Sequence, residues 1–167
     1  MNMRAVALCF LLPLILAARS ACALEPVERW QFSFDAREWK PVRQSVDAPP
    51  GENTYVLPGE NAYFWTEQIT SGHKSVATAP DEYIAEFIQN LLERCRPLKV
   101  SPVEQTPTSV IFQWEGDCRI VGPQFEYRRV VAGRNGVHYL AYSAKPARLT
   151  PEKKAAWLAV LRNATLK

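Results

Sequence analysis

Between residues 80 and 95 the apolar side chains Tyr83, Ile84, Phe87, Ile88, Leu91, Leu92 and Cys95 fall three and four apart, with Glu86, Gln89, Asn90 and Glu93 between them. That spacing gathers one wide apolar stripe on an α-helix and leaves a polar back. Thr78 or Ala79 is placed to cap it, Pro80 sits in the first turn where no amide hydrogen is needed, and Asp81 and Glu82 suit the positive end. Arg94 and Arg96 suit the negative end, and Pro97 stops the helix. A second, shorter stripe, Trp157, Leu158 and Leu161, follows Thr150-Pro151-Glu152 and predicts a closing helix docked on the core.

The remaining pattern has a period of two. Trp30, Phe32 and Phe34 alternate with polar residues and predict a half-buried strand, with a short extended run over 42–46 before the breaker Ala48-Pro49-Pro50-Gly51. Residues 54–57 and 62–70 predict a strand pair joined at Pro58-Gly59, where Pro presets the second turn dihedral and Gly accepts the third. In the second of these, Tyr63, Trp65 and Ile69 share a face that Glu67 interrupts, and Phe64 lies opposite. Residues 71–77 read as a polar loop carrying His73 and Lys74. Pro102 assigns the run 98–105 to a sheet edge. Val110, Phe112 and Trp114 then form the inner face of a strand over 109–115, followed by a turn at Gly116-Asp117. Runs 125–132 and 137–144 flank Gly133-Arg134-Asn135-Gly136, whose Asn-Gly pair suits the left-handed conformers of a tight hairpin. In the second run Val137, Tyr139, Ala141 and Ser143 alternate with His138, Leu140, Tyr142 and Ala144. The sum is an α+β chain: one antiparallel sheet with two helices packed on it.

The first residues change the picture. A basic start at Arg4, an apolar run over 5–18 and the small segment Ala21-Cys22-Ala23 form the pattern of a secretory signal peptide over residues 1–23. The apolar run is shorter than the ~20 residues that span a bilayer. Cys22 opens the alternative of a lipidated N-terminus, although Arg19 stands where such signals carry leucine. Removing Arg4 and Arg19 from the 20 basic residues leaves 18 against 17 acids, a net charge of +1 in place of +3. Residues 24–167 then make one domain, with no strong field for nucleic acid and no later segment that spans a membrane. Arg128, Arg129 and Arg134 near the last hairpin read as a solvated edge.

Export also removes Cys9 and Cys22, leaving Cys95 and Cys118, which an oxidising compartment would join as a disulfide. No C-x-x-C pair, metal-binding helix, nucleophile elbow, P-loop or dinucleotide fingerprint occurs, so no cofactor, metal or catalytic residue is assigned. The aromatic residues Tyr55, Tyr63, Phe64 and Trp65 around the Pro58-Gly59 turn have the composition of interface anchors. They make the first functional expectation a non-catalytic binding or accessory protein of the bacterial envelope, in the periplasm or secreted, which recognises a protein or an envelope component. Two alternatives stand beside it. A small hydrolase would need a pocket uniting His73 with Glu67 or Asp81, and a periplasmic immunity-type inhibitor fits the same size and export.

The order of elements, with the helix opening Ala79-Pro80-Asp81 and the closing helix holding Ala156-Trp157-Leu158, resembles the domain shared by the PsbP photosystem proteins, a yeast Ran-binding protein and DcrB-like periplasmic proteins. The run Phe64-Trp65-Thr66-Glu67, the cysteine pair, and the segments Arg129-Val130-Val131 and Tyr142-Ser143-Ala144-Lys145 also resemble small secreted bacterial proteins without assigned activity. The resemblance implies that fold and a non-catalytic role, and it carries over no functional residue.

Overall fold

In the computed structural model, residues 28–42, 51–74 and 79–167 are described. The signal peptide expected over 1–23, most of the extended run over 42–46 and the Ala48-Pro49-Pro50 breaker lie outside them. The elements in chain order are β1 (Trp30–Gln31), β2 (Lys40–Val42), β3 (Asn53–Val56), β4 (Glu67–Lys74), α1 (Pro80–Arg94), β5 (Cys95–Gln105), β6 (Ser109–Cys118), β7 (Gly122–Gly133), β8 (Gly136–Ala144), α2 (Pro151–Asn163) and β9 (Thr165–Leu166). A seven-stranded sheet has the order β2-β3-β4-β8-β7-β6-β5, and β1 pairs with β9 beside it. Every pairing is antiparallel. The architecture is the expected α+β class.

The two helices cover opposite faces. Tyr83 and Leu91 of α1 pack on Phe112, Trp114, Val130, Val137 and Tyr139, whereas Trp157 and Leu161 of α2 pack on Ile69, Phe125, Tyr127, Leu140 and Tyr142. Both alternating sets of β8 are therefore buried, from Val137 through Ala144. Thr150 caps α2 by accepting the Lys153 amide at 3.2 Å, and Ala79 starts α1 without a side-chain cap. The disulfide Cys95–Cys118 ties the start of β5 to the end of β6.

Several sequence expectations are corrected. The strand expected over 62–70 begins at Glu67, because the Asn61 side chain takes the Tyr63 and Phe64 amides at 2.9 and 3.0 Å and turns the chain locally. Residues 71–74, expected in a loop, complete β4 opposite Tyr139 and His138. Gly72 is there for close packing, since a Cβ would meet the Tyr139 hydroxyl at 2.4 Å. Gly116 and Asp117 continue β6, and the chain turns at 119–121 instead. In the last hairpin Gly136 alone supplies a positive φ, of 129°, and Asn135 does not.

Of the arginine cluster near that hairpin only Arg134 is solvated, with 64% of its side chain exposed; Arg128 and Arg129 are not at a solvated edge. Arg128 is buried beneath α1, bonded to Glu126 at 2.7 Å and to the Tyr83 hydroxyl at 2.8 Å, with its guanidinium over the Phe87 and Tyr139 rings. Trp114 and Ser143 donate to the same Glu126 carboxylate, so that network is closed. Arg129 donates to the carbonyls of Leu161 and Ala164 and so satisfies the end of α2.

Candidate functional site

The four aromatic residues expected at an interface part company. Residues 57–66 form two consecutive turns: Glu60 donates to the Leu57 carbonyl around Gly59, at φ 84°, and Asn61 then closes on Phe64. Thr66 donates to Glu60, and its carbonyl takes the Lys145 amide at 2.8 Å. Trp65 is buried under the Lys145 ammonium and anchors the loop. Tyr63 and Phe64 stand out from it, 60% and 78% exposed. Tyr55 belongs to β3 and is half-buried elsewhere, in the cleft described below.

Glu67 and His73 mark the two ends of β4, on one face of the sheet. Glu67 is only 2% exposed and fully engaged. Arg37 approaches it with both terminal nitrogens at 2.8 and 2.9 Å, the Tyr142 hydroxyl donates at 2.6 Å, and Lys153 of α2 donates at 2.9 Å. Burial pulls the Glu67 carboxyl upward, but the hydrogen bonds from Arg37, Tyr142 and Lys153 outweigh it and hold the group at about 2. Its role is to join the N-terminal segment, β8 and α2. It is remote from His73, and Asp81 lies on α1 over the opposite face, so the pocket required for the hydrolase alternative is not assembled from those groups.

At the other end of β4, His73 is paired directly with His138 of β8, and their rings stack with centroids 5.5 Å apart. Glu28 comes in from the N-terminal segment with Oε2 3.6 Å from His138 Nε2. That carboxylate accepts the Arg134 amide at 2.6 Å. The approach depends on Gly133, where a Cβ would lie 2.5 Å from both Glu28 Oε2 and His138 Cδ2. Trp30, Phe32 and Tyr55 add aromatic walls, Ser71 and Gly72 lie beside the histidine pair, and the whole encloses a cleft of about 520 Å³. That volume is within the range of small-molecule sites, ~300 to 1,000 Å³.

Three buried side-chain nitrogen or oxygen atoms lack a hydrogen-bond partner among the described residues: Trp30 Nε1, His138 Nε2 and Glu60 Oε2. Trp30 and His138 both line this cleft. An unpaired buried donor or acceptor costs ~1 to 3 kcal/mol, so two in one place mark a feature that folding alone does not favour. Burial pushes the His138 imidazole down, Glu28 opposes the shift, and His73 adds to it. No group of three or more His, Cys, Asp or Glu among the described residues is placed to hold a metal ion.

The residues of the cleft were individually visible in the sequence, but their convergence was not. His138 read as an ordinary sheet residue and His73 as a loop residue, because only the β4–β8 register brings them together. Trp30 reads as core from its alternation, and nothing local marks its indole nitrogen as unpartnered.

No protein-family model matches the chain, and no curated protein matches it. Among solved structures it is similar to PA94 of Pseudomonas aeruginosa, a protein of unknown function described as a candidate regulator. The two share 14% identity and a TM-score of 0.50 over 75% of this chain and 94% of PA94. At that identity the likeness concerns the fold. Among the described residues no helix is long and apolar enough to cross a membrane.

Proposed function

We propose that the chain is an exported, non-catalytic binding protein that takes up an envelope component in the cleft between Trp30, Tyr55, Glu28 and the His73–His138 pair. One observation carries this reading: Trp30 and His138, each with a buried nitrogen that has no hydrogen-bond partner among the described residues, line the same cleft. Away from the cleft the carboxylates of Glu67 and Glu126 are saturated, and Glu60 Oε2 is the one further unpaired buried atom among the described residues. A bound molecule that accepts from the indole and engages the imidazole supplies the missing partners. The Cys95–Cys118 disulfide fits an oxidising compartment, and the signal-like first residues support export. The finer affiliation with the PsbP and DcrB-like domain is part of this proposal and rests on the order of elements.

A second reading is favoured by Tyr63 and Phe64, which a hydrogen-bonded loop holds in solvent. Side chains of this kind on a rigid support are suited to contact a protein partner. The immunity-type inhibitor is one form of that reading.

The test uses the mature protein recovered gently from its native envelope and examined by native mass spectrometry, beside a Trp30→Phe/His138→Phe variant. An additional bound mass on the wild type, lost from an equally folded variant, is the expected result. An identical spectrum for both proteins would refute the cleft as the binding site.

A further inference from the structure

Among the described residues five large apolar side chains are exposed, Phe34, Tyr63, Phe64, Leu92 and Ile120, and the three most exposed of them share one end of the sheet. Ile120, at 85%, lies in the connection between β6 and β7, and Tyr63 and Phe64 lie in the loop that leads into β4. Glu67, Ala144 and Phe125 stand side by side across β4, β8 and β7, so both loops leave the sheet from the same end. Lys145 joins them. Its amide donates to the Thr66 carbonyl, and its ammonium lies over the Trp65 ring and donates to the Val121 carbonyl. Phe64 and Ile120 are the chain neighbours of Trp65 and Val121, so each projects from a support that is held in place. Single exposed apolar residues are ordinary, but three on two loops fastened to one lysine make a patch.

A basic rim adjoins Ile120. The Arg119 amide donates to the Arg94 carbonyl at 3.1 Å and its guanidinium to the Glu93 carbonyl at 3.2 Å, which brings the last turn of α1 against the β6–β7 connection. Arg94, Arg96 and Arg119 are exposed and line one recess with Glu93 and Asp117. Arg148, three residues after Lys145, is exposed as well. None of these four guanidiniums is ion-paired among the described residues. Elsewhere charged side chains at the surface pair, as Lys74 does with Glu86, Arg134 with Glu28 and Arg162 with Glu104. Glu60 of the 57–66 loop turns inward and accepts from Thr66. This end therefore presents unpaired positive charge beside apolar tips.

A partner that fits must supply an apolar medium for the tips and negative charge for the guanidiniums. The recess beside Ile120 is lined by charged side chains, so it offers no apolar groove to a peptide; the tips point outward and the apolar medium belongs to the partner. A nucleic acid carries the charge but gives the aliphatic Ile120 nothing to enter. A protein would need a separate matched pit for each loop. A bilayer with anionic headgroups supplies both requirements without a preformed cavity: its acyl boundary takes Phe64 and Ile120, the Tyr63 ring keeps its hydroxyl at headgroup level, and phosphate groups meet the guanidiniums. We infer that this end of the sheet is a lipid-contacting tip, with Tyr63, Phe64 and Ile120 entering the boundary of an anionic bilayer and Arg94, Arg96 and Arg119 on its phosphates. The inference goes beyond the cleft reading and does not depend on it, since the histidine pair lies at the other end of β4. It gives the Tyr63–Phe64 loop a lipid surface in place of the protein partner of the second reading.

The experiment uses the chain from residue 24 onward, which omits the apolar run over 5–18 that would itself enter lipid. Binding to vesicles of equal parts phosphatidylglycerol and phosphatidylcholine is measured by co-sedimentation, beside vesicles of phosphatidylcholine alone. The inference expects saturable binding to the anionic vesicles, weakened by added salt. Phe64→Ser and Ile120→Ser each weaken it about tenfold, and Arg119→Gln about fivefold, with Tm unchanged because all three side chains are exposed. In Phe64→Trp the emission of the new indole moves to shorter wavelength when anionic vesicles are added. No binding to the anionic vesicles overturns the inference, as does equal binding to phosphatidylcholine alone or undiminished binding of the Phe64→Ser/Ile120→Ser double variant. A photo-crosslinker at position 64 that captures one envelope protein and no lipid also overturns it and returns the loop to the second reading. None of these outcomes bears on the cleft, which the native mass measurement tests separately.

Discussion

The two ends of β4 hold buried polar groups on the same face of the same sheet, and they are finished differently. At Glu67 every requirement is met: one carboxylate, three donating side chains, and residues drawn from the N-terminal segment, β8 and α2. At His73 the opposed His138 leaves Nε2 without a partner, and the nearby Trp30 leaves its indole nitrogen in the same condition. The first end is what selection for stability produces, since a buried charge that loses its partners is strongly destabilising. The second end keeps polar atoms that an apolar substitution would remove at little or no loss. Retained polarity of that kind belongs to function more readily than to folding.

The largest effect is expected at the saturated end. Glu67→Gln should lower the unfolding free energy by about 3 kcal/mol in urea titrations, because Arg37 and Lys153 lose their countercharge. The sign of its pH dependence follows from a carboxyl held at about 2 in the folded chain against an ordinary value of 4.5. The unfolded chain takes up this proton first as the pH falls. The stabilisation is therefore complete above the ordinary value and lost as the pH drops from 4.5 toward about 2. Wild type and variant should converge in stability across that window, and curves that stay parallel would show that Glu67 is not the group responsible.

Cutting the covalent tie tests whether the ends are independent. The Cys95–Cys118 bond spans a sequence separation of 23 and lies, by strand register, at the end of the sheet away from His138. The chain-entropy model assigns such a loop about 3 kcal/mol. Cys118→Ala should lower Tm by on the order of 10 °C, seen by calorimetry, and leave binding in the cleft unchanged.

Gly133→Ala acts on the cleft itself. The added Cβ displaces Glu28 or His138, so a loss of about 1 to 2 kcal/mol with weakened ligand capture is expected. A variant of undiminished affinity would mean that the Glu28–His138 approach is not needed for binding. The smallest effect is expected at Phe64. With 78% of its surface in solvent, Phe64→Ala should change stability by less than about 0.5 kcal/mol. If it also removes contact with a protein partner, the second reading gains; a loss of several kcal/mol would instead place Phe64 in the core.

Much of the framework was legible from periodicity. The α1 stripe, the Thr150-Pro151 start of α2, the edge position of Pro102 and the α+β class all follow from local spacing and punctuation, and the structure has each of them, save that Leu92 of the stripe is exposed. The cysteine pairing followed from elimination and compartment. What failed was one local override and the long-range pairings. Asn61 overrode an apparent strand by bonding the Tyr63 and Phe64 amides, and the polar run through His73 became a strand because β8 was there to pair with it. Arg128 looked solvated because its charge was legible and its partners Glu126 and Tyr83, from two different elements, were not. Of the candidate site, Tyr55 and His73 stand out in the sequence, but for separate reasons. The cleft exists only through the pairing of β4 with β8 and the return of the N-terminal segment along β9, which single-residue patterns do not encode.

The claim that the histidine end is left unfinished for a ligand is tested most directly by the unfolding free energy of His138→Phe. The imidazole is 1% exposed and its Nε2 has no partner, so a ring of similar size without that nitrogen should leave stability unchanged or raise it by up to about 1 kcal/mol. A loss of about 3 kcal/mol, equal to that expected for Glu67→Gln, would contradict the account and make His138 a structural residue like the one at the other end of the strand.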